Sequence, residues 1–254
     1  MSAWLQATDV ATDLIHVAMT EDGIAEMALR DVDGKNGMSP AWVKAFIAGL
    51  AEVAQMPGAR VLLLSGLPDY FCTGATKEVL KDLVENRLMP GELTLGRQLI
   101  GFDLPVVAAA EGHAIGGGLA LLLSCDLGVI SETSRYGANF MTLGITPGMG
   151  TTRLLEEALG RAIAHEMIYT GDLWRGRRFA GTGAFNAVVP ATEVRDRALL
   201  LARGLADKPR DNLIHLKRSL SLPRRLAFET AMTTEPLMHA LSLRNLDTDL
   251  WGAP

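Results

Sequence analysis

Apolar and polar positions alternate in "LIHVAM" (residues 14–19) and "IAEMAL" (24–29), on either side of the turn signal "TEDG". Period-two alternation bounded by turn residues predicts two half-buried strands. The pattern then changes period. Pro40 opens "AWVKAFIAGLAEVAQM", whose apolar residues recur at helical spacing. Three runs are apolar throughout: "ARVLLLSG" (59–66), "PVVAAA" (105–110) and "DLGVIS" (126–131). Apolar runs of this length read as short buried strands. Further helices are expected to start at Ala75 and near Leu93. From about Arg195 the chain reads as helix alone, in "EVRDRALLLARGLA", "RDNLIHLKRSL" and "RRLAFETAMTTEPLMHALSLRNL", with Pro209 and Pro223 as punctuation. The expectation is an α/β core over residues 1–195 and an all-helical region over 196–254.

Composition narrows the function. The 254 residues are 48% hydrophobic and 21% charged, with a net charge of −5. That balance suits a globular chain and lacks the basic excess that phosphate contact leaves, so no nucleic-acid partner is expected. No apolar run reaches the roughly 18–20 residues of a membrane span, and "MSAWLQATDVATD" lacks the pattern of a secretory leader. A cytoplasmic protein with no membrane partner follows as an expectation. Two cysteines, Cys72 and Cys125, supply neither a disulfide framework nor a usual zinc site, and no metal or redox cofactor is expected.

The chemistry concentrates where glycine meets the apolar runs. In "GHAIGGGLALLL" the three glycines 116–118 sit after a buried strand and at a helix start, although glycine in a helix interior costs about 1 kcal/mol. First-turn N–H groups lack intrahelical partners and stand at the positive end of the helix dipole, which suits an anion or a developing oxyanion. The alternative is that the glycines only let helix and strand pack closely. No phosphate-loop spacing occurs here. A second strand–glycine–helix passage, "YFCTGATKEVL" (70–80), offers a second amide of the same kind.

Taken together, "FCTGA", "GHAIGGG" and "LGITPGMG" resemble, in order and spacing, the three motifs of the crotonase (enoyl-CoA hydratase/isomerase) superfamily. The resemblance implies a spiral of repeated ββα units followed by an all-helical oligomerisation region, with a homotrimer or dimer of trimers as the assembly. It also implies that the N–H groups of Ala75 and Gly117 form an oxyanion hole for a thioester. The two glutamates that the superfamily's hydratases use fall here on Ala120 and Phe140, neither of which can move a proton, so hydration is excluded. With "ANF", "TPGMG" and a late "LMH", the chain looks like the decarboxylating crotonases of polyketide β-branching. These convert a 3-methylglutaconyl thioester on an acyl carrier protein to a 3-methylcrotonyl thioester.

That likeness implies His239 as the proton donor and Ala120, Asn139, Phe140 and Thr142 as pocket residues. It implies an acyl carrier protein and an upstream dehydrating crotonase homologue as partners. The substrate would ride on phosphopantetheine or coenzyme A, and no cofactor would be bound. The family's loop lysine falls near Met89, where this chain has none, which leaves Lys77, Lys81 and Arg87 as candidates to hold the substrate carboxylate. His113 reads as structural, and His16, His165 and His215 as surface residues. Cys72 reads as a small core residue, since no base stands near it in sequence. Two other functions remain open: double-bond isomerisation or C–C hydrolysis on an acyl-CoA, and an inert subunit that binds carriers.

Overall fold

The computed structural model describes residues 13–20, 22–244 and 246; the leader reading of the first residues lies outside them. Strands β1 (Ile15–Met19) and β2 (Ile24–Leu29) pair antiparallel around a turn in which the Gly23 N–H donates to the Thr20 carbonyl at 3.2 Å. Helix α1 (Pro40–Gln55) follows, with Ser39 accepting from the Trp42 N–H at 3.2 Å and Pro40 in the first turn, where a missing N–H is harmless.

A repeated unit then builds two sheets. Strands β3 (Val61–Ser65), β5 (Val106–Ala110) and β7 (Leu127–Ser131) run parallel in a six-stranded sheet of order β1-β2-β3-β5-β7-β10, with β10 at Ala187–Val189. Each of the three is followed by a short strand in a second sheet of order β4-β6-β8-β9, made of Tyr70–Cys72, His113–Ile115, Arg135–Gly137 and Trp174–Arg175. Helices α2 (Lys77–Val84), α3 (Leu95–Ile100), α4 (Gly117–Leu123), α5 (Thr151–Leu159) and α6 (Arg161–Thr170) return the chain between sheets. This is the α/β spiral of ββα units that the resemblance implies.

One helix start differs from the sequence expectation. Helix α2 starts at Lys77, not Ala75, because Thr76 caps it by accepting from the Val79 N–H at 3.4 Å, and Ala75 stays extended in a parallel bridge to Met38. Helix α3 starts at Leu95, near Leu93 as expected. The change of pattern at Arg195 falls inside a helix. Helix α7 spans Ala191–Ala206, and its Val194, Ala198, Ala202 and Ala206 pack on Val61, Leu63, Val107, Ala109 and Val129. The three alanines, one turn apart, let this helix lie close against the large sheet and form its outer layer.

Beyond α7 come α8 (Arg210–Leu220), α9 (Leu222–Met232) and α10 (Glu235–Leu243). A buried cation ties them to the core: Lys217 Nζ donates to the carbonyls of Leu99 (3.1 Å) and Leu104 (2.9 Å) and pairs with Asp126 at 2.8 Å. Burial pushes the Lys217 ammonium pKa down, and Asp126 opposes that shift. No described helix is long and apolar enough to cross a membrane.

Candidate active site

The two glycine passages lie side by side because β4 and β6 are parallel neighbours that end together. Each leaves its strand through a residue at positive φ, Gly74 at +79° and Gly116 at +56°, where a β-carbon is strained. A β-carbon on Gly74 would stand 3.0 Å from the Gly117 nitrogen and 2.7 Å from the Ile115 carbonyl oxygen, so the two backbones touch. Another on Gly118 would stand 2.0 Å from the Cys72 carbonyl oxygen. The glycine run therefore has packing and turn roles that the structure shows. Gly116 makes the turn and Gly118 admits the strand. Gly117 opens helix α4, and among the described residues neither its amide nor that of Ala75 meets an acceptor. The strand that feeds these glycines is the short β6, not the longer run "PVVAAA".

Beside this junction lies an apolar cavity. Its wall comes from Ala75, from α2 (Leu80, Leu83), from the connection to α3 (Met89 to Gly91, Leu93), from Phe140, Ile145, Gly148 and Met149, and from α9 and α10. It is nearly all hydrocarbon and thioether. The polar side chains in it are those of Glu235 and His239.

Of the four pocket residues named from sequence, Phe140 alone lines the cavity. Ala120 is buried in α4, one turn behind Gly117, with its carbonyl accepting from the Ser124 hydroxyl at 2.7 Å. Asn139 packs on the glycine turn, its side-chain oxygen 3.1 Å from where a Gly116 β-carbon would be. Thr142 is exposed on the 3-10 turn Met141–Leu143 and donates to the Gly171 carbonyl at 3.2 Å. The three carboxylate candidates also turn away. Lys77 is exposed on α2, Lys81 pairs with Glu85 at 3.9 Å, and Arg87 Nε donates to Asp82 at 2.8 Å. None of the three lines the cavity. Helix α2 is amphipathic: it sends Val79, Leu80 and Leu83 inward, which forces its lysines out.

His239 stands in the wall, 6% exposed, on the second turn of α10. Its Nδ1 lies 2.7 Å from the Thr146 carbonyl oxygen, which makes Nδ1 the protonated nitrogen and leaves Nε2 as the one free to exchange a proton. Burial holds the imidazole pKa below its ordinary 6.5, with the Thr146 hydrogen bond pulling the other way. Met149, at φ +62°, adopts a conformation that costs a bulky residue roughly 1–2 kcal/mol, and its sulfur lies 2.6 Å from where a Gly117 β-carbon would be. It covers the oxyanion side of the cavity.

The remaining histidines and Cys72 do no chemistry at this site. His113 Nδ1 accepts from the Arg135 N–H at 3.1 Å, and His16, His165 and His215 are exposed. Burial pushes the Cys72 thiol up to about 12, so it is not a nucleophile.

The parallel ends of β4 and β6 thus set two unpartnered amides side by side, with Ala75 in the wall of the apolar cavity, inside a spiral of ββα units. Residues 19–247 match the family described as Enoyl-CoA hydratase/isomerase. The chain belongs to that family. It is 33% identical over 232 residues to the bacillaene synthase decarboxylase PksI of Bacillus subtilis, covering 91% of this chain and 92% of that one. It is also similar to the ECH2 decarboxylase domain of CurF from Lyngbya majuscula, at 32% identity and a TM-score of 0.86, covering 94% of this chain and 96% of that domain. A third likeness is to a structure from a dehydratase/decarboxylase enzyme couple of polyketide β-branching, with 30% identity, a TM-score of 0.87, and 94% and 98% coverage.

Proposed function

We propose that this chain decarboxylates a 3-methylglutaconyl-type thioester on an acyl carrier protein to the 3-methylcrotonyl-type thioester of a polyketide β-branching pathway. The likeness to the Bacillus decarboxylase over 91% of one chain and 92% of the other carries the reading. The cavity supports it. The thioester oxygen would accept from the amides of Ala75 and Gly117, and the γ-carboxylate would enter a wall without lysine or arginine. The bond from the γ-carbon to the carboxylate breaks, CO2 leaves, and the electron pair spreads through the conjugated system to the thioester oxygen. One oxyanion donor is typically worth about 3–4 kcal/mol in such a step. His239 in its imidazolium form then gives its Nε2 proton to the γ-carbon, and solvent restores that proton.

No metal or redox cofactor enters this scheme, so a chelator should leave the rate unchanged. A dehydrating crotonase homologue would supply the unsaturated substrate, and the work would take place in the cytoplasm. Phosphopantetheine or coenzyme A would serve as the handle.

The test is a mass measurement on carrier-bound 3-methylglutaconyl after incubation with the protein. Loss of one CO2 from the acyl chain is expected. Release of the free acid would point to hydrolysis. An unchanged mass would point to isomerisation or to an inert carrier-binding subunit, and either outcome overturns the proposal.

A further inference from the structure

Glu235 has no part in the scheme above, yet it is 1% exposed, lines the cavity and precedes His239 by one turn of α10. Its Oε2 accepts from the Gly150 N–H at 2.7 Å. Its Oε1 accepts from both the N–H and the hydroxyl of Thr152, each at 2.7 Å. All three bonds run to the start of α5, directly after Met149, whose left-handed backbone sets the sulfur over Gly117.

The same helix grips the same loop a second time, one and two turns further on. The Thr146 carbonyl accepts from His239 Nδ1–H at 2.7 Å, and the Thr146 N–H donates to the Ser242 hydroxyl at 3.2 Å. Residues 146–152 thus form a splint between the oxyanion side and the proton-donor side. Helix α10 is fastened to both of its ends.

We infer that Glu235 is the positioning residue that couples the two halves of the active site, holding Met149 over Gly117 and the His239 ring on the Thr146 carbonyl through one carboxylate. The inference rests on His239 as proton donor, so it deepens the reading above.

Glu235→Gln tests it, because an amide offers one acceptor oxygen and turns a donor towards donors already present. Nitrogen-15 NMR of the substrate-free protein reads the His239 tautomer directly. The wild type should carry the proton on Nδ1, and the variant should show a mixture or an Nε2–H form. Turnover should fall roughly 10- to 100-fold with KM nearly unchanged, the scale of ångström-level misplacement of a catalytic group. The imidazole limb of the pH profile should move to lower pH, because the Thr146 bond that raises its pKa is weakened. Glu235 and His239 are the titratable side chains of the cavity wall, so no other described group there would produce that limb.

A folded Glu235→Gln protein with the wild-type tautomer, pH limb and turnover overturns the inference. If that variant does not fold, Thr152→Val removes only the hydroxyl bond, and an unchanged tautomer and turnover there overturn it equally. A wild-type protein that releases no CO2 overturns the decarboxylase reading instead, while the tautomer comparison still decides the role of Glu235.

Discussion

Replacing Gly74 with alanine tests whether the contact between the two glycine passages sets the oxyanion hole. The new β-carbon would stand 2.7 Å from the Ile115 carbonyl oxygen and 3.0 Å from the Gly117 nitrogen. Both atoms are backbone, held by the pairing of β4 with β6, and cannot swing aside as a side chain could. Ordinary contact begins near 3.4 Å, so the two passages must part by about 0.7 Å at the tightest point. A hydrogen bond of about 2.9 Å lengthened by that much is no longer one, so a thioester oxygen placed on one amide loses the other. Loss of one oxyanion donor costs about 2.7–4 kcal/mol, or 100- to 1,000-fold in kcat. The left-handed backbone at φ +79° adds roughly 1–2 kcal/mol of destabilisation for alanine. In a chain of this size each kcal/mol lowers Tm by about 2–4 °C. Circular dichroism and thermal melting establish that the variant folds, and CO2 release from the carrier-bound substrate gives the rate. A folded variant that keeps turnover within about threefold of wild type refutes the argument, because one donor cannot be lost at so small a cost.

Three further outcomes are expected. Burial holds the His239 pKa below 6.5 and the donating form is the imidazolium, so kcat/KM should be highest on the acid side and fall as pH rises through that lowered value. A bound substrate carboxylate favours the imidazolium, so the corresponding fall in kcat should lie at higher pH. His239→Ala should slow turnover by roughly 100- to 10,000-fold and abolish the limb, and a wild-type kcat/KM that climbs through pH 6.5 contradicts this role. Asp126→Ala leaves Lys217 and Arg224 without their shared carboxylate, at a cost of about 3–5 kcal/mol. Thermal melting should show Tm lowered by roughly 6–20 °C, and a Tm unchanged within error refutes it. The exposed leucines Leu216, Leu220, Leu222, Leu226, Leu237 and Leu241 on α8 to α10 should be covered in a homotrimer or dimer of trimers, and a monomer by light scattering at micromolar concentration would overturn this.

The apolar runs "VLLLS", "VVAAA" and "LGVIS" announce buried strands in the sequence, because strands covered on both faces have no polar position to interrupt them. "FCTGA" and "GHAIGGG" are legible for a related reason. A chain that turns at φ +79° and +56° and lets a strand approach to contact needs glycine there, and such needs are local. The short strands His113–Ile115 and Arg135–Gly137 are not legible, since three residues carry no measurable period, and Tyr70–Cys72 is betrayed only by the glycine passage that follows it. The start of α7 is faint in the sequence because its buried side is largely a stripe of alanine, which has little hydrophobic contrast.

Which side chains face the cavity was decided by tertiary structure alone. Lys77, Lys81 and Arg87 lie close to Ala75 along the chain, but the inward stripe of α2 turns the two lysines to solvent and Arg87, beyond the helix, is held by Asp82. Glu235 is the reverse case. A lone glutamate in "EPLMHALSL" gives a weak signal, one turn before a histidine, and its meaning comes from donors 83 and 85 residues away. Backbone conformation is dictated by neighbours along the chain and can be read from them. Convergence of Ala75, Met149, Glu235 and His239 on one cavity is dictated by how sheet, spiral and terminal helices pack, and only the folded chain contains that information.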